Sequence, residues 1–134
     1  MVDPGADLLI AEALLQAPGI TALVGDRCAL KQLPQGTGLP ALVYQVITSN
    51  DNPYLDDESG VSVLRLQINP LAPDMPTVNL IHQAVADALM PVRDQVVAGK
   101  RVISVQSDGR AGVDQDQLTG AWTRPADYLV KFDQ

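Results

Sequence analysis

Val61-Ser62-Val63-Leu64-Arg65-Leu66-Gln67-Ile68-Asn69 is the stretch whose reading decides the fold. Leu64, Leu66 and Ile68 alternate with Arg65 and Gln67, the two-residue period of a strand with one face on a core and the other in solvent. Just upstream, residues 41–49 carry the same chemistry. They place Leu42, Tyr44 and Val46 on one face and Val43, Gln45 and Ile47 on the other. The intervening residues 50–60 are polar and acidic, and too few for a crossover helix. The two strands are therefore expected to pair antiparallel across a long acidic loop.

Working outward toward the C-terminus, residues 70–76 read as a turn, and Thr77 as the cap of a helix whose stripe is Val78, Ile81, Val85, Ala88 and Leu89. Pro91 marks its end. Residues 95–97 and 101–106 flank Ala98-Gly99-Lys100 and predict a tight hairpin. Residues 108–120 are polar, contain three glycines and read as a loop. A last strand follows, with Ala126, Tyr128, Val130 and Phe132 alternating with Asp127, Leu129 and Lys131. Toward the N-terminus, Asp3-Pro4-Gly5 predicts the start of a helix over residues 3–17 that carries Leu8, Ala11, Leu14 and Leu15 on one side. Residues 20–25 predict one further turn, stopped by Gly25. Residues 26–40, with Pro34, Gly36, Gly38 and Pro40, read as a loop. The sum is a single α+β domain over 1–134: a largely antiparallel β-sheet of about five strands with two main helices packed on one face.

The chain has 134 residues, 46% of them hydrophobic and 19% charged, enough apolar material for one core and too little charge for a disordered chain. Nine Lys+Arg against 16 Asp+Glu give a net charge of −7, which argues against a general nucleic-acid or anionic-membrane binder. No apolar run approaches the roughly 20 residues of a membrane span, and Asp3 and Asp7 stand where an export signal carries basic residues. The expectation is a protein that stays in the cytoplasm where it is made. One cysteine, Cys28, precludes an intrachain disulfide, and one histidine, His82, precludes two-histidine metal sites. No cofactor or metal is expected.

The candidate motifs are weak. Gly36-Thr37-Gly38-Leu39-Pro40-Ala41 spells a dinucleotide fingerprint but precedes a strand instead of opening a helix, and Pro40 removes a donor. Asp114-Gln115-Asp116 starts like a calcium loop, yet Leu118 takes a ligand position. His82 sits beside the apolar helix stripe with no nucleophile elbow in the chain, so it reads as a half-buried structural histidine. Cys28, next to Arg27, reads as a small packed side chain. Asp56-Asp57-Glu58 is the densest charge cluster. A solvated hairpin tip is the plain reading, and a docking or pore-lining loop containing Asp51, Asn52, Asp56, Asp57 and Glu58 is the functional one. Trp122, the only tryptophan, is either a contact residue or an anchor at the core's edge.

In their order and spacing these segments resemble the tail-completion or tail-terminator proteins of long-tailed bacteriophages. The resemblance rests on the N-terminal helix followed by Leu23-Val24-Gly25-Asp26-Arg27, then Leu33-Pro34-Gln35-Gly36 and Leu39-Pro40-Ala41-Leu42-Val43-Tyr44. The acidic loop, Val63 to Ile68, the helix from Thr77 and the closing strand from Arg124 to Phe132 complete it. The chain departs from the family pattern at Asn69-Pro70-Leu71-Ala72-Pro73 and around residues 115–121. The resemblance implies a non-enzymatic virion protein in the neck region of the tail, assembled in the host cytoplasm. It would form a ring, a hexamer, that caps the tail tube, stops polymerisation and offers a joining surface to the head connector. The implied partners are other copies of itself, the tail tube protein and head–tail connector proteins, with DNA only in transit through the pore and no membrane contact. Two rival readings are another neck or tube component and a small hydrolase using a carboxylate pair.

Overall fold

The computed structural model describes residues 6–34, 36–47 and 60–133. The predicted cap at Asp3 and the loop candidates Asp51, Asn52, Asp56, Asp57 and Glu58 lie outside these residues.

Among the described residues the order is α1 (Ala6–Leu14), α2 (Pro18–Val24), β1 (Cys28–Leu30), β2 (Ala41–Ile47), β3 (Val61–Ala72), α3 (Met75–Leu89), β4 (Arg93–Val97), β5 (Lys100–Arg110), β6 (Asp114–Gln115), β7 (Trp122–Thr123) and β8 (Ala126–Asp133). The sheet runs β1-β2-β3-β8-β5-β4, with β7 beside the end of β3 and β6 beside β7. Every pairing is antiparallel except β1 with β2. The α+β class and the single apolar layer between helices and sheet are as the alternation predicts. Among the described residues the sheet has eight strands against the expectation of about five, and α2 is a helix in its own right.

The core lies between the helices and one sheet face. Ile10, Leu15, Ile20, Val24, Ile81, Val85 and Leu89 meet Leu42, Leu64, Leu66, Ile68, Val105, Val130 and Phe132 there. The strand face predicted from Leu64, Leu66 and Ile68 is the buried one, and β3 alternates half-buried and buried from end to end. The other sheet face carries Gln45, Arg65, Gln67, Asp127 and Lys131. Arg65 on β3 reaches Asp108 on β5 at 2.7 Å and Asp127 on β8 at 3.1 Å, tying three strands on that face. Arg101 similarly bridges Asp94 and Asp133. These pairs are partly exposed, so they set register more than they stabilise.

Four local readings are corrected. Pro18 opens α2 as a first-turn proline instead of merely ending the helix before it, and Gly25 closes α2 at φ +59°. The predicted loop 26–40 contains β1, a three-residue strand whose period is too short to register. The cap of α3 is Asp74, not Thr77. Its carboxylate accepts the Thr77 amide at 2.8 Å, and hydrogen bonds from Thr77 hold it below the usual carboxylate range. The predicted loop 108–120 is largely the end of β5 and a second small hairpin, β6–β7.

Strand β3 also runs through Pro70, where a turn was expected. Leu42 donates its amide to Arg27 of the β1 side, so the Leu42–Pro70 pair exchanges no hydrogen bonds and Pro70 turns its nitrogen toward the β7–β8 side. There β8 ends at Ala126 opposite Ile68, and β7 resumes in the same register with Thr123 opposite Leu71. β7 and β8 are thus one line of strand broken at Arg124-Pro125, beside the proline that cannot donate to it. The hairpin predicted around residues 98–100 is present: Val97 faces Lys100, and Ala98 and Gly99 take φ of +51° and +81°.

Candidate functional site

The broken strand line explains His82. Continuing the register puts Arg124 opposite Pro70, so the Arg124 carbonyl loses its ladder donor. His82 on α3 supplies one, with Nε2 at 2.5 Å from that oxygen. A carbonyl only accepts, so Nε2 carries the proton, and Nδ1 is a buried acceptor without a partner. His82 is 1% exposed, more buried than its position in the sequence suggests. Burial above all pushes its pKa down, opposed by the Arg124 hydrogen bond and reinforced by the charges of Arg110 and Arg124. It is a structural residue that fastens α3 to the β7–β8 junction. Arg124 in turn donates to the Ala111 carbonyl at 3.2 Å, and Ala111 donates to Pro125 at 2.8 Å. The base of the β6–β7 hairpin is therefore fixed from both sides.

The hairpin tip is built by Asp116. Its Oδ1 accepts the Leu118 amide at 2.8 Å and the Thr119 amide at 3.3 Å, the sequence of bonds that an aspartate makes when it imitates a turn. The Asp116 amide donates to Ala121, and Gly120 donates back to Asp116 at 2.7 Å with φ at +75°. Gln115 Nε2 closes the same turn on the Gly120 carbonyl. Leu118 stands at the apex and is 96% exposed. An apolar side chain on a turn this well bonded is presented outward and does not fold back.

On the open sheet face, β1, β2, β3 and β7 surround a depression of about 440 Å³. Leu33, Val43 and Leu71 supply its apolar part, Gln45 and Gln67 face each other across β2 and β3, and Lys31 is its one charged lining residue among the described residues. Lys31 stands just past β1 with φ at +67°, held by its amide on the Tyr44 carbonyl. No tip residue of the β6–β7 hairpin lines this depression.

The outer strands of the sheet path, β1 and β4, end the sheet at opposite sides. On β4, Val96 is 74% exposed. Asp94, at φ +52°, interrupts the regular edge, a device that limits indiscriminate strand addition.

Among the sequence candidates, Trp122 is described: half-buried on β7, opposite Ala72 of β3 and Gln115 of β6, with β7 packed on α3. It anchors the hairpin to the body. Cys28 is partly buried on β1, and burial together with the Glu12 charge pushes its thiol up to about 11. A raised thiol is a poor nucleophile, which agrees with a packed side chain. No group of three or more metal-ligating side chains occurs among the described residues. Lys31 and Leu118 were not singled out from the sequence. The available signal was one leucine inside the polar run 114–120.

Compared with known proteins, residues 9–124 match the family described as tail completion protein gp17. Among solved structures, a chain of the virion of native gene transfer agent (GTA) particle shares the fold with a TM-score of 0.67 at 15% identity. The match covers 96% of this chain and 94% of that one. No curated protein matches the sequence.

Proposed function

We propose, from the premise that the chain belongs to the tail completion protein gp17 family, that it assembles as a ring on the end of the finished tail tube. A protein of this family is a structural component of the bacteriophage tail. In this reading about six copies close head to tail, since a heterologous contact whose rotation closes gives a ring. The ring ends tube polymerisation and presents its outer face to the head connector. Its partners are further copies of the chain, the tube protein and connector proteins, and DNA passes through the pore without being held.

The observation that carries this reading is the distribution of contact features around one α+β subunit. Free strand edges lie at the two ends of the sheet, and a hairpin tipped by an exposed leucine projects from a third place. A subunit with different surfaces at its two sides is suited to heterologous contacts, which form a ring where their rotation closes. The work is mechanical and uses no catalytic residue.

The acidic segment with Asp51, Asp56, Asp57 and Glu58 is proposed to face the pore, where its charge repels phosphates. Electron microscopy of the purified protein, alone and with tail tubes, tests the reading: rings at tube ends support it, and bare tube ends refute it.

A further inference from the structure

The tip of the β6–β7 hairpin and the Lys31 depression are complementary features: the hairpin borders the depression of its own molecule only through Thr123 at its base, and no tip residue lines it. The hairpin offers an apolar apex, Leu118, on the turn built by the Asp116 carboxylate, with a second carboxylate, Asp114, lower on the same hairpin opposite Thr123. Among the described residues the depression offers an apolar part from Leu33, Val43 and Leu71, amides from Gln45 and Gln67, and one positive charge at Lys31. Lys31 is in none of the ion pairs among the described residues. Among the described lining residues the charge of the depression is positive, which is complementary to an acidic tip.

We infer that the leucine-tipped hairpin of one copy seats in the Lys31 depression on the open sheet face of the next copy. This rests on the ring reading and supplies it with a specific head-to-tail contact. Leu118 enters over Leu33, Val43 and Leu71, and Asp114 and Asp116 approach Lys31. The tip needs little ordering on binding, because Asp116, Gln115 and Gly120 already fix its turn. The anchoring of the hairpin base by Trp122, by Arg124 and indirectly by His82 sets its angle to the body. That angle fixes the rotation between neighbouring copies. The contact joins two different surfaces, so it propagates around a ring and does not stop at a dimer.

The test is a charge swap read by mass photometry and electron microscopy with tail tubes. Lys31→Asp suits a left-handed backbone position, and Asp114 lies outside the Asp116 turn, so both variants should keep the fold, checked by circular dichroism. Each single variant is expected to raise the concentration needed for assembly about tenfold or more, through like-charge juxtaposition, and the double variant Lys31→Asp/Asp114→Lys to recover most of the loss. Leu118→Cys with Gln45→Cys, in a Cys28→Ala background, should give cross-links between copies, with neither single variant doing so. If the parent forms rings while the swapped and Leu118→Asp variants assemble equally well and no cross-link forms, this contact is wrong and the ring reading stands. If the parent never associates, alone or on tube ends, both are wrong.

Discussion

Replacing His82 with glutamine separates the two things the histidine does. Glutamine Nε2 occupies nearly the place of the imidazole Nε2 and donates to the Arg124 carbonyl, but it never takes up a proton. In the folded parent His82 is 1% exposed and its pKa lies below the ordinary histidine value, pushed down by burial and by Arg110 and Arg124. The unfolded chain binds a proton near the ordinary histidine pKa of about 6.5 while the folded chain does not. Stability from this site is therefore complete above that pH and is lost as pH falls toward the folded value. The slope from a single such group approaches roughly 1.4 kcal/mol per pH unit within that window. Urea unfolding of parent and His82→Gln, followed from about pH 7.5 to about pH 5, checks it. All carboxylates titrate alike in the two proteins, so the difference isolates His82. The parent should lose stability faster than the variant across this range. Parallel pH curves would show that His82 is not held neutral and would refute the burial argument.

The interrupted strand line makes a coupled prediction: His82→Leu leaves the Arg124 carbonyl unpaired and costs roughly 1–3 kcal/mol. Pro70→Ala, which restores a backbone donor opposite Arg124, should cost less in the His82→Leu background than in the parent. A double-mutant cycle in urea reads the coupling, and strict additivity would count against the register argument. Cys28, with its thiol pushed up to about 11, should react slowly with iodoacetamide near neutral pH and faster as pH rises; a rate equal to that of the denatured chain would contradict its packing. Neutralising Asp51, Asp56, Asp57 and Glu58 together should leave the fold unchanged and let assembled rings retain double-stranded DNA in a salt-dependent way. DNA retention equal to the parent would place these carboxylates away from the pore.

Two-residue alternation made the centre of the sheet legible, because Leu64, Leu66 and Ile68 lie on one face whatever surrounds them, and the same holds for Tyr128, Val130 and Phe132. The stripe of α3 was legible for the equivalent reason at helical period. What escaped is short or non-local. β1 is three residues that become a strand only beside β2, and β7 is two residues that continue β8 beyond a proline. Pro70 looked like a turn because a strand proline is tolerated only where its missing donor meets a gap, and that gap lies at Arg124-Pro125, far along the chain. His82 could be read as structural, but the carbonyl it serves depends on the same distant junction. The surface features were least legible: exposure of Leu118 and isolation of Lys31 are properties of the folded chain, and neither leaves a period in the sequence.

The central claim is that this chain completes a tail by closing a ring on the tube. The measurement that bears on it most directly is cryo-electron microscopy of tail tubes assembled without the protein and then mixed with it. The account predicts a single ring of about six copies at one end of each tube and no further tube growth when tube protein is added. Tubes that keep bare ends and continue to lengthen, or that carry the protein along their sides, would contradict it.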